Sequence, residues 1–326
     1  MKREIDGLLI VDKPEGITSL DVVREIKHRF ALKKAGHIGT LDPFATGVLP
    51  VAINEGTKLV PFLGEGPKEY AVTLKLGEET TTDDWTGKAV ISEPWEGVQP
   101  EKIEAVLHAF LGKIHQTPPM FSAIKMNGKP LYRLARKGIE VERKERAVEI
   151  YKIQMEKIDL PLVFFKVSCS KGTYIRTLGR DIGRRIGCGG HLLRLRRMRS
   201  GPFTIVQAIS WERLMDFPPT EDLHPWLISL GAALPGLPEV IGDEPLVRKV
   251  RFGKEMMVRD LSPQTLPPFE KGEWLKMSSP EEGLVAILKS EVKKADIPWA
   301  NPEVVALRPL RVFQPQKRRY CTGDTI

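Results

Sequence analysis

Cysteine is scarce in this chain of 326 residues: only Cys169, Cys188 and Cys321 occur, odd in number, far apart and never as C-x-x-C. That scarcity excludes a disulfide framework and a thiolate zinc site, and it predicts a reducing, cytoplasmic setting. Long apolar runs are also missing. None approaches the roughly 20 residues that span a bilayer, so no membrane association is expected. The opening "MKREIDGLLIVDKPEG" reaches Asp12 and Lys13 after a short apolar run, which does not fit a signal peptide. Internal repeats are absent. One stretch lacks acids altogether: Arg184, Arg185, Arg194, Arg196, Arg197 and Arg199 follow one another with no carboxylate between them.

What is present is an ordinary core-forming composition, 41% hydrophobic, at a length that favours two domains. A formal charge of +8 and a pI near 9.3 point to a polyanionic partner. Residues 7–11, 48–53 and 70–77 read as strands, the last by strict alternation. Residues 19–30 read as a helix capped by Ser19, and 100–112 as a helix running from Pro100 to Gly112. Asn127-Gly128 is a hairpin signal. Residues 162–187 read as strand, turn at Gly172 and helix, and 191–205 as an Arg-rich strand. Strands and helices mix without a βαβ rhythm, so the predicted class is α+β, with a mainly antiparallel central sheet flanked by helices. Proline-rich residues 216–245 read as a connector. Short strand-like runs beyond it predict a small β-rich C-terminal domain, followed by a disordered tail.

The segment Gly36–Pro50, "GHIGTLDPFATGVLP", sets one acid, Asp42, in a frame of glycine and threonine. Asp before Pro43 commonly starts a turn. The alternative is a carboxylate displayed on a loop as nucleophile or base. Such a group has to be ionised and aimed. An arginine partner would do both, lowering its pKa and fixing it through two charge-assisted bonds. Arg176, in "CSKGTYIRTLGRD", is a candidate partner.

These residues resemble the TruB family of tRNA pseudouridine synthases. Besides "GHIGTLDPFATGVLP", the blocks "LLIVDKPEGITSLDVV", "KEYAVTLKLGEETTTDDWTG", "QTPPMFSAIKMNGKPLYRLARKG", "CSKGTYIRTLGRDIG" and "GCGGHLLRLRR" appear in the family's order, covering roughly residues 5–210. Several ordered blocks are far more specific than any one short motif. The resemblance implies isomerisation of uridine to pseudouridine at position 55 of the tRNA T loop. It implies Asp42 as the catalytic carboxylate, Arg176 as its partner, Tyr70 stacking on the target base, and Tyr174 and Leu195 as pocket walls. It places His37 near the flipped nucleotide and Lys13 in a supporting turn. Arg184, Arg196 and Arg197 would belong to a phosphate track, extended by Lys125, Lys129, Arg133, Arg136 and Lys137 of a thumb over 121–146. The implied organisation is a pseudouridine synthase catalytic domain at 1–240, a PUA-like RNA-binding domain at 241–313 and a tail at 314–326.

The isomerisation adds and removes no atoms, so no cofactor and no metal are expected. The expected partner is the T-arm stem-loop of tRNA, engaged by a monomer without guide RNA or protein partner. Two other readings compete. One is a binding or folding factor that opens the T loop without catalysis, against which Asp42, Tyr70 and Arg176 argue. The other is an RNA-guided relative, against which the thumb argues.

Overall fold

The apolar runs and alternating stretches become two sheets joined by a shared core. In the computed structural model, residues 5–122, 124–126, 128–135, 137–261 and 265–315 are described. The chain begins with β1 (Gly7–Lys13), α1 (Ser19–Arg29), β2 (Ala35–His37), β3 (Thr46–Ile53), the single turn α2 (Val60–Leu63) and β4 (Lys68–Leu76). A hairpin of β5 (Glu78–Thr80) and β6 (Ala89–Ser92) precedes α3 (Pro100–His108) and β7 (Gly112–Gln116). A small excursion carries β8 (Lys125–Met126), β9 (Lys129–Pro130) and α4 (Leu131–Ala135). Then come β10 (Arg146–Asp159), β11 (Leu162–Cys169), α5 (Ile175–Ile186), β12 (Gly190–Ser200), β13 (Phe203–Thr204), β14 (Ile209–Ser210), α6 (Trp211–Asp216) and β15 (Leu227–Ile228).

The large sheet runs β14-β1-β3-β12-β4-β11-β10-β7, with β2, β13 and β15 paired to its inner strands. The pairs β1–β14 and β3–β12 are parallel and the others antiparallel, so the sheet is mixed and mainly antiparallel, as its irregular sequence rhythm predicts. The excursion at 117–145 interrupts β7 and β10, which pair directly, Gln116 opposite Arg146. Its hairpin forms at the expected place, with Gly128 at φ +77°. Asn127 and Arg136 lie outside the described residues.

Three local readings need correction. The cap of α1 is Thr18, not Ser19. Thr18 and Asp21 bond each other's backbone N–H in a capping box, and Ser19 is buried and used elsewhere. α3 stops at His108, because Gly112 takes φ +86° and opens β7 instead of ending the helix. The stretch 216–245 is more than a connector: β15 extends the large sheet against β1, and Glu239–Ile241 joins a second sheet.

That second sheet is β-rich as expected. It contains β16 (Glu239–Ile241), then, after helix α7 (Glu244–Arg251), β17 (Met256–Met257), β18 (Trp274–Ser279), β19 (Gly283–Ser290) and β20 (Val305–Val312), in the order β16-β18-β19-β20-β17. A third hydrophobic cluster joins the sheets, with Leu8, Ile10, Val48 and Ala52 meeting Leu230, Leu234, Leu284, Ile287 and Phe313. No helix among the described residues is long and apolar enough to cross a membrane.

Candidate active site

Asp42 sits on the loop between β2 and β3, and both of its neighbours are held. Ser19 Oγ donates to the Leu41 carbonyl at 3.0 Å and accepts from the Leu41 N–H at 2.9 Å. On the other side the Pro43 carbonyl accepts from Lys13 Nζ at 3.1 Å and from the Gly16 N–H at 2.8 Å. Lys13 is fully buried and also donates to the carbonyls of Pro14 and Ile17. The turn after β1 is thereby laced to the Asp42 loop. Burial pulls Lys13 down to about 8, with the Asp42 charge opposing, so it remains cationic at neutral pH.

Arg176 enters from the first turn of α5, 134 positions along the chain from Asp42. Its Nε donates to Asp42 Oδ2 at 2.7 Å and its Nη2 to Oδ1 at 3.0 Å, the two-point fork the sequence predicts. The remaining N–H groups are directed as well. Nη2 also donates to the Phe121 carbonyl at 2.7 Å, and Nη1 donates to the Thr82 carbonyl at 3.0 Å and lies 3.7 Å from Asp84 Oδ2. The side chain of Arg176 is 4% exposed and that of Asp42 33%. The guanidinium is therefore sealed in while the Asp42 side chain keeps partial access to solvent. Position α5 itself is set by Gln116, which bonds both the N–H and the C=O of Tyr174.

The electrostatic outcome differs from the simple expectation. Desolvation pushes the Asp42 carboxyl above the ordinary carboxylate range and outweighs the opposing pull of Arg176; buried Asp84 adds to the push. Asp84 has no role in the sequence reading. Its Oδ1 accepts from the Thr86 N–H and from the hydroxyls of Thr82 and Thr86, which leaves Oδ2 toward Arg176.

Tyr70 lies on β4 opposite Arg197 of β12 and Val167 of β11, and its burial raises the phenol pKa. Leu195 is two residues before Arg197, so both share one face of β12, the alternation that strand geometry imposes. Tyr174, half-buried, precedes α5 and feels the charge of Asp42. His37 on β2 pairs with Val51, and burial with the Arg197 charge lowers its pKa, favouring neutral imidazole. Asp42 thus lies within electrostatic reach of Lys13, Tyr70, Tyr174, Arg176 and Arg197, Arg197 in turn acts on His37, and Leu195 shares a face of β12 with Arg197.

Arg184 and Arg196 point elsewhere. Arg184, two turns along α5 from Arg176, forks onto Glu79 at 2.8 and 2.7 Å. Arg196, on the opposite face of β12 from Leu195, forks onto Asp12 at 3.0 and 2.6 Å. Arg199 faces Glu69 at 3.2 Å, and Arg185 lies over the Phe110 ring. The arginine run has no acid within it, yet the fold supplies acids from β1, β4 and β5.

Comparison with known proteins places the chain in a family. The model of "TruB family pseudouridylate synthase (N terminal domain)" matches residues 27–175, and that of "tRNA pseudouridylate synthase B C-terminal domain" matches 176–229. A tRNA pseudouridine synthase B of Geobacter sulfurreducens is 52% identical over 230 residues, 71% of this chain and 76% of that protein. One from Syntrophus aciditrophicus is 41% identical over 95% of this chain and 99% of its own length. Among solved structures, a chain of a Cbf5–Nop10–Gar1 complex aligns with TM-score 0.74 at 30% identity, covering 95% of this chain and 85% of that one. These matches show that the chain belongs to the TruB family of pseudouridylate synthases.

Proposed function

We propose that this chain isomerises uridine 55 in the T loop of tRNA, acting alone. The observation that supports the reading is the two-point Arg176–Asp42 fork, with Tyr70 and Tyr174 near enough to feel the Asp42 charge. The relatives named tRNA pseudouridine synthase B support the substrate class. The target base leaves its stack, at a cost of a few kcal/mol. Stacking on Tyr70 returns about 1–3 kcal/mol. Leu195 and Tyr174 keep the detached uracil in place while it turns. Asp42, aimed by Arg176, meets the ribose either as a covalent trap or as a counter-charge to the anomeric carbon. His37 and Lys13 stand on the loop side of Asp42, and the exposed Arg194 is left to attract the phosphates, because Arg184 and Arg196 are already paired with Glu79 and Asp12.

The test is pseudouridine mapping in unmodified tRNA transcripts incubated with the purified protein alone. Native protein should modify position 55. Asp42→Asn should form no product while tRNA affinity stays within about threefold, since the substitution keeps shape and removes only charge. A normal rate in Asp42→Asn overturns the mechanism, and modification only at other positions overturns the site assignment.

A further inference from the structure

Arg197 is among the largest fully buried side chains of the molecule, 1% exposed, and no carboxylate lies within ion-pair distance of it among the described residues. A buried cation without a counter-ion is costly unless its donors are all engaged. Here they are spent on the catalytic loop. Nε donates to the Val48 carbonyl at 2.7 Å, Nη2 to the Gly39 carbonyl at 2.9 Å and Nη1 to the Thr40 carbonyl at 3.4 Å. These three carbonyls bracket Asp42 on both sides.

The same side chain reaches Tyr70. The two residues are directly opposite in the antiparallel β4–β12 pair, so their Cβ atoms stand on one face about 4.5–5.5 Å apart. The guanidinium charge acts on the phenol, opposing the rise that burial imposes on it, and the phenol in turn favours the charged guanidinium. The glycines of the loop make room for this arrangement. A Cβ on Gly47 would lie 2.2 Å from the Arg197 carbonyl oxygen, and one on Gly39 would touch Nη1 at 3.4 Å.

We propose that Arg197 is a positioning residue of the reaction, a buried post that fixes the hydroxyl end of Tyr70 and the Asp42 loop in one frame, and does not contact RNA. It links the two groups that must meet a flipped nucleotide from different strands: the ring that stacks on the base and the carboxylate that meets the sugar. The inference rests on Tyr70 and Asp42 having the roles given above.

The test is a double-mutant cycle on Arg197 and Tyr70. Arg197→Met keeps the stem and removes the guanidinium, a change that buried sites often tolerate in folding. Turnover on tRNA transcripts should fall about a hundredfold, the penalty of roughly 1 Å of misplacement, with tRNA Kd within about threefold. Arg197→Lys should recover part of the loss. Tyr70→Phe should cost about tenfold in the native background and less than twofold in Arg197→Met, because the phenol oxygen has then already lost its partner. The same cycle read by thermal unfolding, without RNA, should show the Tm effect of Tyr70→Phe vanishing in Arg197→Met. If Arg197→Met does not fold, Arg197→Lys closes the cycle in its place. Additive losses in turnover and in Tm overturn the inference. So does a weakened Kd with native turnover, the signature of an RNA contact. Failure of the tRNA reading looks different, since native protein would then leave position 55 unmodified while the Tm cycle still reports the contact.

Discussion

Arg176 directs every N–H it owns, and that sets what can replace it. Two go to Asp42, two to the carbonyls of Thr82 and Phe121, and one toward Asp84. A lysine offers three donors from one point and cannot span both carboxylate oxygens and the carbonyls of two further segments. Arg176→Lys is therefore expected to lower turnover by about three orders of magnitude, comparable to losing a preorganised electrostatic contact, while tRNA affinity is nearly unchanged. Single-turnover kinetics with saturating enzyme would separate the two. The pH profile follows from the carboxyl beside it. In the proposed mechanism Asp42 works as a carboxylate, and burial raises its pKa, so proton uptake on acidification begins at higher pH than for a free aspartate near 3.9. Single-turnover rate should fall on the acid side with a midpoint above that value. A flat profile down to pH 4 would contradict the raised pKa. At this scale Asp42 and Arg176 were legible through the family resemblance, since the local pattern alone reads as a turn at Asp42 and a solvated helix residue at Arg176. The raised pKa was not. It depends on how much solvent the surrounding backbone removes, and no local pattern encodes that.

Elements position these side chains through close approaches that only glycine allows. β3 and β12 run parallel with Gly47 opposite Arg197. Gly47 holds φ +99°, and an added Cβ would fall 2.2 Å from backbone oxygen and 2.8 Å from backbone nitrogen. Neither atom can swing aside as a side chain could. Gly47→Ala should therefore cost about 2–4 kcal/mol, from the strained φ and the clash together, and should lower turnover per folded molecule because β3 carries the Asp42 loop. Chemical denaturation and active-site-normalised rates check both parts. An alanine variant of native stability would show that the strands separate more easily than their register implies. Most elements could be read from the sequence: β4 by alternation, α1 by its apolar face, the 125–130 hairpin by Asn-Gly. Their partners could not. Glu79, Asp12 and Glu69 lie 105 to 184 positions from the arginines they engage, so a run that looks like an unopposed basic track is in part already neutralised. Ser19 illustrates the same point, since its hydroxyl suits a helix cap locally but is taken by Leu41 across the loop.

At the scale of the whole molecule, the C-terminal sheet is locked onto the catalytic one by the last described strand. Phe313 is fully buried in the shared cluster, its N–H bonded to the Val285 carbonyl at 2.9 Å and its own carbonyl to Arg251 at 2.7 Å. Lys58, from the catalytic side, bonds the Val312 carbonyl at 2.9 Å and lies over the Phe313 ring, and the Gln314 N–H reaches Glu55. The sequence reading ends its C-terminal domain at Phe313 and starts its tail at 314. Gln314 is bonded to the catalytic unit, and residues 316–326, Cys321 among them, lie outside the described part. Hydrophobic patterning marks Phe313 as buried but not against what, because a ring packed within its own sheet and a ring plugging another look the same along the chain. The contacts decide the energetics. Removing a buried phenylalanine costs about 3–5 kcal/mol, and here the loss falls at the joint between the sheets. Native protein should therefore unfold in one calorimetric transition. Phe313→Ala should divide it into two, with the C-terminal unit melting first because its own core is the smaller. Two transitions in the native protein, or one undivided transition shifted downward in the variant, would mean that the shared cluster does not couple the units.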